Sequence, residues 1–179
     1  MYRAKGIISS LRKRKKSNFL FLGMGMMLCL IILSCQRDPE TRGFAGIMAP
    51  DFNLADLDGN AFHLEGERGK MVLIIFTTTW CPACTGFIPI CKEIQEVYGK
   101  EKDFVMVNID IEESLDRVRA FAKANGIAYR ILLDSEGEVR KGYNIMGVPS
   151  FVLINGEGKI ISSRIERILD ILQTTFSHV

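Results

Sequence analysis

The chain has 179 residues, 47% hydrophobic and 25% charged, which gives room for one ordinary domain and a short appendage. Its formal net charge of +2 hides an uneven distribution: residues 1–35 carry seven basic side chains and no acid, leaving 16 basic against 21 acidic residues elsewhere. The remainder is therefore mildly acidic and offers no basic surface for nucleic acid.

The basic excess has another meaning. Arg12 to Lys16 (RKRKK) precedes sixteen uncharged residues, Phe19 to Ser34. A basic segment leading into an apolar one is the pattern of a secretory signal, with the positive arm left in the cytoplasm and the rest of the chain exported. As a helix this segment would span about 24 Å, short of a hydrocarbon core of about 30 Å, which favours cleavage over a permanent signal anchor. Ile32-Leu33-Ser34-Cys35 looks like a bacterial lipobox, in which Cys35 would carry the lipid. The alternative is a cysteine that merely ends an apolar run; either way the domain beyond it stays at a membrane surface. Residues 1–35 are thus expected to be signal, 36–48 a polar, glycine-containing tether, and 49–179 the folded domain.

Within that domain, Phe52 to Leu57 alternates apolar and polar residues, meets Asp58-Gly59, and resumes at Ala61 to Leu64, predicting a β-hairpin. Gly66 to Lys70 reads as a polar loop. Met71 to Phe76 (MVLIIF) is apolar throughout, as a strand buried on both faces requires. Cys81 to Tyr98 is helical, with Phe87, Cys91, Ile94 and Tyr98 on one stripe. Asp103 to Ile109 predicts a second buried strand. Glu112 to Asn125 predicts a helix with Leu115, Val118, Phe121 and Ala122 inward and Gly126 at its end. Arg130 to Leu133 reads as a strand, Glu138 to Tyr143 as a brief helix, Phe151 to Ile154 and Lys159 to Ser163 as strands, and Glu166 to Phe176 as a closing helix. Strands alternating with helices point to an α/β fold with a central sheet covered on both faces.

Five cysteines sort by position. Cys29 lies in the apolar N-terminal run and Cys35 at its end. Cys91 falls on the inward stripe, where a free thiol packs as a small hydrophobe. Cys81 and Cys84 stand where a buried strand gives way to a helix. Cys81 then takes the N-cap and Pro82 the first helical position, where a missing N–H costs nothing. Unpaired N–H groups and the helix dipole favour a thiolate there. Two intervening residues let Cys84 reach back, so one sulfur attacks a partner's disulfide and the other resolves the mixed disulfide. The exported setting is an oxidising one, in which a close thiol pair is a disulfide or a redox centre. Zinc would need a second Cys/His pair, and His63 and His178 stand singly; no metal or cofactor is expected.

Trp80-Cys81-Pro82-Ala83-Cys84, Pro89 five residues on, and Gly147-Val148-Pro149 before a strand together resemble the thioredoxin superfamily. The Ala49-Pro50-Asp51-Phe52 opening and the hairpin are similar to its TlpA/ResA-type, exported and membrane-tethered members. The resemblance implies a thioredoxin-like fold, a central mixed β-sheet flanked by helices with an N-terminal hairpin extension. It also implies a cis bond before Pro149, with Val148 and Pro149 facing the sulfurs and, with Trp80 and Pro82, shaping the partner site. The implied activity is thiol–disulfide exchange with exported protein thiols. Reduction of apocytochrome disulfides is one such use, fed by a membrane electron donor; the expected state is a monomer.

Two positions depart from that pattern. Thioredoxins place a buried acid six residues before the first cysteine, where this chain has Ile75; many TlpA/ResA-type proteins place Glu three residues after the second, where it has Phe87. Deprotonation of Cys84 is then left to water or a partner group, and the direction of electron flow stays open. Two other functions compete: a peroxiredoxin-like peroxidase, for which Thr78 fits but Ile74 replaces the required proline, and a non-catalytic lipoprotein that holds a partner or a metal ion.

Overall fold

A computed structural model describes residues 46–177. The signal, Cys29, Cys35, most of the tether and His178 lie outside the described residues. Already at Gly46 the backbone is paired, its N–H donating to Ile160 O at 2.7 Å, so the last residues read as tether lie against the strand of the terminal hairpin.

In chain order, β1 (Asn53–Ala55) and β2 (Ala61–His63) come first and form the antiparallel hairpin, Asn53 opposite His63. A 3-10 turn, Leu64–Glu67, overlaps the segment read as loop, because Leu64 is drawn into the core. β3 (Met71–Thr77), α1 (Pro82–Tyr98), β4 (Phe104–Ile111), α2 (Leu115–Ala124) and β5 (Arg130–Asp134) alternate strand with helix. α3 (Glu138–Gly142), β6 (Ser150–Ile154), β7 (Ile160–Ser162) and α4 (Ile165–Thr175) complete the chain. The five-stranded sheet runs β5-β4-β3-β6-β7, with β3, β4 and β5 parallel and β6 and β7 antiparallel to their neighbours. This is the mixed thioredoxin-like sheet.

β3 is central, and its alternate residues serve two cores. Val72, Ile74 and Phe76 pack on the face covered by the hairpin and α3, with Phe62, Val139 and Tyr143. Leu73 and Ile75 pack on the other face against α1, α2 and α4, through Ile94, Val118, Ala122, Ile168 and Leu172. That double burial is why the strand reads as an unbroken apolar run.

The segment between β4 and α2 differs from expectation. β4 continues two residues past Ile109 to Ile111, taking Asp110 into the sheet opposite Thr77. Glu112 then adopts a left-handed φ of 57°, which breaks the chain direction, and the helix begins only at Leu115 behind Ser114 at its N-cap. Leu115 thus occupies the first turn and is 37% exposed rather than inward, while Val118 and Ala122 are buried as read.

Ile94, fully buried between α1 and the sheet, is the sequence-legible anchor of this core. Ile94→Ala is expected to cost about 2–5 kcal/mol of unfolding free energy, read as a lower urea midpoint at unchanged m.

Candidate active site

β3 ends at Thr77, and Thr78 to Trp80 turn the chain into α1. Cys81 is the N-cap of that helix, with Pro82 at its first position. The Cys84 N–H donates to Cys81 Sγ at 3.1 Å, so a helix-terminal amide is already aimed at the first sulfur. The two cysteines form a disulfide, their Cα atoms 5.2 Å apart. Both are buried, whereas Trp80 beside them is 64% exposed.

On the opposite side of the sulfurs, the Val148–Pro149 bond is cis and Val148 O lies 3.6 Å from Cys81 Sγ. The six residues read from the sequence as the site (Trp80, Cys81, Pro82, Cys84, Val148 and Pro149) all fall at the β3–α1 turn, in the first turn of α1 or in the loop before β6. Beside the pair runs a groove of about 320 Å³, walled by Trp80, Ile111, Ile145, Met146 and Val148, with Glu112 and Arg140 among its lining. Met146 is 87% exposed, so the groove has an apolar rim open to a partner. Arg140 ties the loop in place: its Nε donates to Glu112 Oε1 at 3.4 Å and its Nη1 to Ile145 O at 3.1 Å.

A carboxylate also stands beneath the pair, at a position the thioredoxin-type motifs do not mark. Asp110 is 3% exposed on β4 and lines a small cavity together with Cys84, Ile75 and Phe87. Ile75 and Phe87, the two positions at which the resemblance leads one to expect acids, thus share a single space with Asp110 on the adjacent strand. Burial, and then the nearby negative charge of Glu113, push the Asp110 carboxyl up to about 8. A side-chain hydrogen bond joins the two carboxyl groups. Glu113 in turn accepts from the Thr79 N–H and hydroxyl and pairs with Arg117 at 2.8 Å, fastening the acid pair to the active-site turn. The signal for Asp110 was present in FVMVNIDI: Asn108 and Asp110 are two polar residues on one face of a buried strand.

Cys91 lies deeper on α1 and is buried; desolvation pushes its thiol up to about 11, so it packs as a neutral group. His63 is on the surface, its Nε2 2.7 Å from Asp51 Oδ2. Asp51, His63 and Glu65 are the one group of metal-ligand side chains drawn together among the described residues. The two Asp51 oxygens are already engaged, by His63 and by the Glu65 N–H at 2.9 Å. A larger cavity of about 470 Å³ lies between the hairpin and α3, and neither cysteine lines it.

A strand-to-helix turn carrying Cys-x-x-Cys, a facing cis proline and this mixed sheet define a thioredoxin-like thiol–disulfide oxidoreductase of TlpA/ResA type. The chain belongs to the Redoxin family, whose model matches residues 44–170. It is 35% identical over 116 residues to the thioredoxin-like protein YneN of Bacillus subtilis, covering 64% of this chain and 68% of that protein. It is 30% identical over 153 residues to the thiol-disulfide oxidoreductase ResA of Bacillus subtilis, covering 82% of this chain and 85% of that one. The solution structure of a candidate protein disulfide isomerase from Bacteroides thetaiotaomicron superposes with a TM-score of 0.67 at 34% identity, covering 73% of this chain and 87% of the other.

The buried acid has a thermodynamic signature. Asp110 ionises near 3.8 in the unfolded chain and near 8 in the fold, so between those values the unfolded state binds fewer protons. Stability therefore falls as pH rises through that window and levels off above it. Asp110→Asn is expected to remove this loss, gaining on the wild type by on the order of a few kcal/mol at about pH 8 and little at about pH 4. Urea titrations across that range check it, and a difference that fails to widen with pH would show that the carboxyl is solvated.

Proposed function

We propose that this protein exchanges disulfides with exported protein thiols at the outer face of a membrane, with Cys81 as the attacking sulfur and Cys84 as the resolving one. The observation that carries the assignment is the Cys84 N–H directed at Cys81 Sγ from the first turn of α1, opposite Val148 O. The amide and the helix terminus stabilise negative charge on the first sulfur in either direction of exchange. Trp80, Pro82, Val148 and Pro149 form the surface on which the partner's cysteine lies, its extended backbone running past the Val148 carbonyl. The likeness to ResA supports reduction of substrate disulfides, such as those of apocytochromes, as the working direction, with electrons drawn from a membrane donor.

The N-terminal pattern supports export and tethering through a lipid on Cys35. No helix among the described residues is long and apolar enough to cross a membrane.

Insulin-disulfide reduction tests the roles: Cys81→Ala is expected to lose activity by at least about a hundredfold, while Cys84→Ser accumulates a mixed disulfide with the partner. Full activity in Cys81→Ala would sink the assignment, and peroxide consumption that needs Cys81 but not Cys84 would replace it with a peroxidase. The reduction potential tests the direction, a value near about −270 mV indicating a reductant and one near about −120 mV a disulfide donor. For the tether, Cys35→Ala is expected to abolish metabolic labelling with a radioactive fatty acid; labelling that persists would refute lipidation at this cysteine.

A further inference from the structure

We propose that Asp110 is the proton acceptor for Cys84, reached through a single water held between Thr78 Oγ1 and Asp110 Oδ1. The proposal rests on the exchange chemistry of Cys81 and Cys84 and supplies the base that Ile75 and Phe87 do not.

Three observations place it. Asp110, Thr78 and Cys84 line the same cavity between the sheet and α1. Its volume of about 20 Å³ matches one water, which needs roughly 10–15 Å³ and two or more polar partners. Thr78 Oγ1 and Asp110 Oδ1 are the two buried side-chain polar atoms without a hydrogen-bond partner among the described residues, and both residues border this space. Buried polar atoms left unpaired cost about 1–3 kcal/mol each, and a bridging water between them satisfies both.

The acid is also set for the task. The other titratable or charged groups around it are Glu113 and Arg117 on the α2 side, Cys84 and Cys91 on α1, and Tyr129 before β5. β3 and the turn after it contribute only neutral side chains here, Ile75 and Thr77 from the strand and Thr78 from the turn. Glu113 lies hydrogen-bonded to Asp110 and is anchored by Thr79 and Arg117, so the pair holds one proton close to the working pH. A base near the operating pH combines availability with driving force.

In the reductive direction, the Cys81 thiolate attacks a substrate disulfide, forming the Cys81–substrate disulfide and releasing one substrate sulfur as thiolate. The Cys84 thiol then passes its proton through the water to the Asp110 carboxylate. The resulting thiolate attacks Cys81 Sγ, forming the Cys81–Cys84 disulfide and breaking the bond to the substrate. The second substrate sulfur leaves as a thiolate and is protonated by solvent. Two electrons pass from the cysteine pair to the substrate disulfide. In the reverse direction the Asp110 carboxyl protonates Cys84 as the disulfide opens.

The test is a single turnover of the reduced full-length protein, in detergent, against insulin disulfide, with acid quench and mass spectrometry of the mixed disulfide. The fluorescence of Trp80, the one tryptophan, tracks return to the Cys81–Cys84 disulfide. Asp110→Asn is expected to form the mixed disulfide at a rate within about twofold of wild type, yet to resolve it at least about tenfold more slowly. It should also lose the rise in resolution rate that the wild type shows up to about pH 8. Thr78→Val should slow the same step while keeping its inflection. Glu113→Gln, which removes the neighbouring negative charge and keeps an acceptor for Thr79, should shift the inflection to lower pH. Resolution by Asp110→Asn at the wild-type rate and with the wild-type pH profile overturns the proposal, as does an inflection unmoved in Glu113→Gln. The underlying exchange reading fails separately, if Cys81→Ala still forms the mixed disulfide.

Discussion

Parallel pairing of β3 with β4 sets the geometry on which the site depends. It places Thr77 beside Asp110 at the carboxyl ends of both strands, two residues beyond the Ile75–Asn108 pair. From Thr77 the chain leaves the sheet and turns into α1, so the first helical turn brings Cys84 to the cavity that Asp110 lines from β4. The helix terminus delivers donors to Cys81 from one side. The sheet delivers a carboxyl to the space beneath Cys84 from the other. Neither contribution needs the two segments to be near in sequence; each needs the register.

The same arrangement opposes stability to chemistry. An apolar residue at position 110 would suit a β4 that is otherwise packed between two cores. A carboxyl there is desolvated, faces a second carboxyl and keeps one oxygen unpaired by protein. The surrounding structure absorbs that cost through the large apolar faces of β3 and through the Glu113–Thr79–Arg117 bonds, which hold the acid pair rigidly under the active-site turn. Groups retained against stability in this way concentrate where reactions occur.

Much of the molecule was legible from local pattern. MVLIIF is a strand buried on both faces, the Phe87–Cys91–Ile94–Tyr98 stripe is helical, and Asp58-Gly59 turns a hairpin; each appears close to its expected bounds. The misreadings cluster in one place. Ending the strand at Ile109 and starting a helix at Glu112 left Asp110 outside the strand and put Glu112 and Glu113 inside the helix. In the fold, Asp110 is the last inward residue on its face, Glu112 makes the left-handed break, and Glu113 turns under Thr79. Helix propensity and charge density favoured the longer helix, while pairing with β3 and β5 kept the chain extended through Ile111.

The sequence by itself determined the cysteine pair, its placement at a strand-to-helix turn, the proline near it and the family, because these are carried by residue types at short fixed spacings. Only the tertiary structure decided which carboxyl lies next to that pair. Asp110 lies 26 residues beyond Cys84, on a different strand, and no local spacing relates the two. Their meeting comes from strand register, strand parity and the way α1 packs across the sheet, and these are properties of the assembled fold.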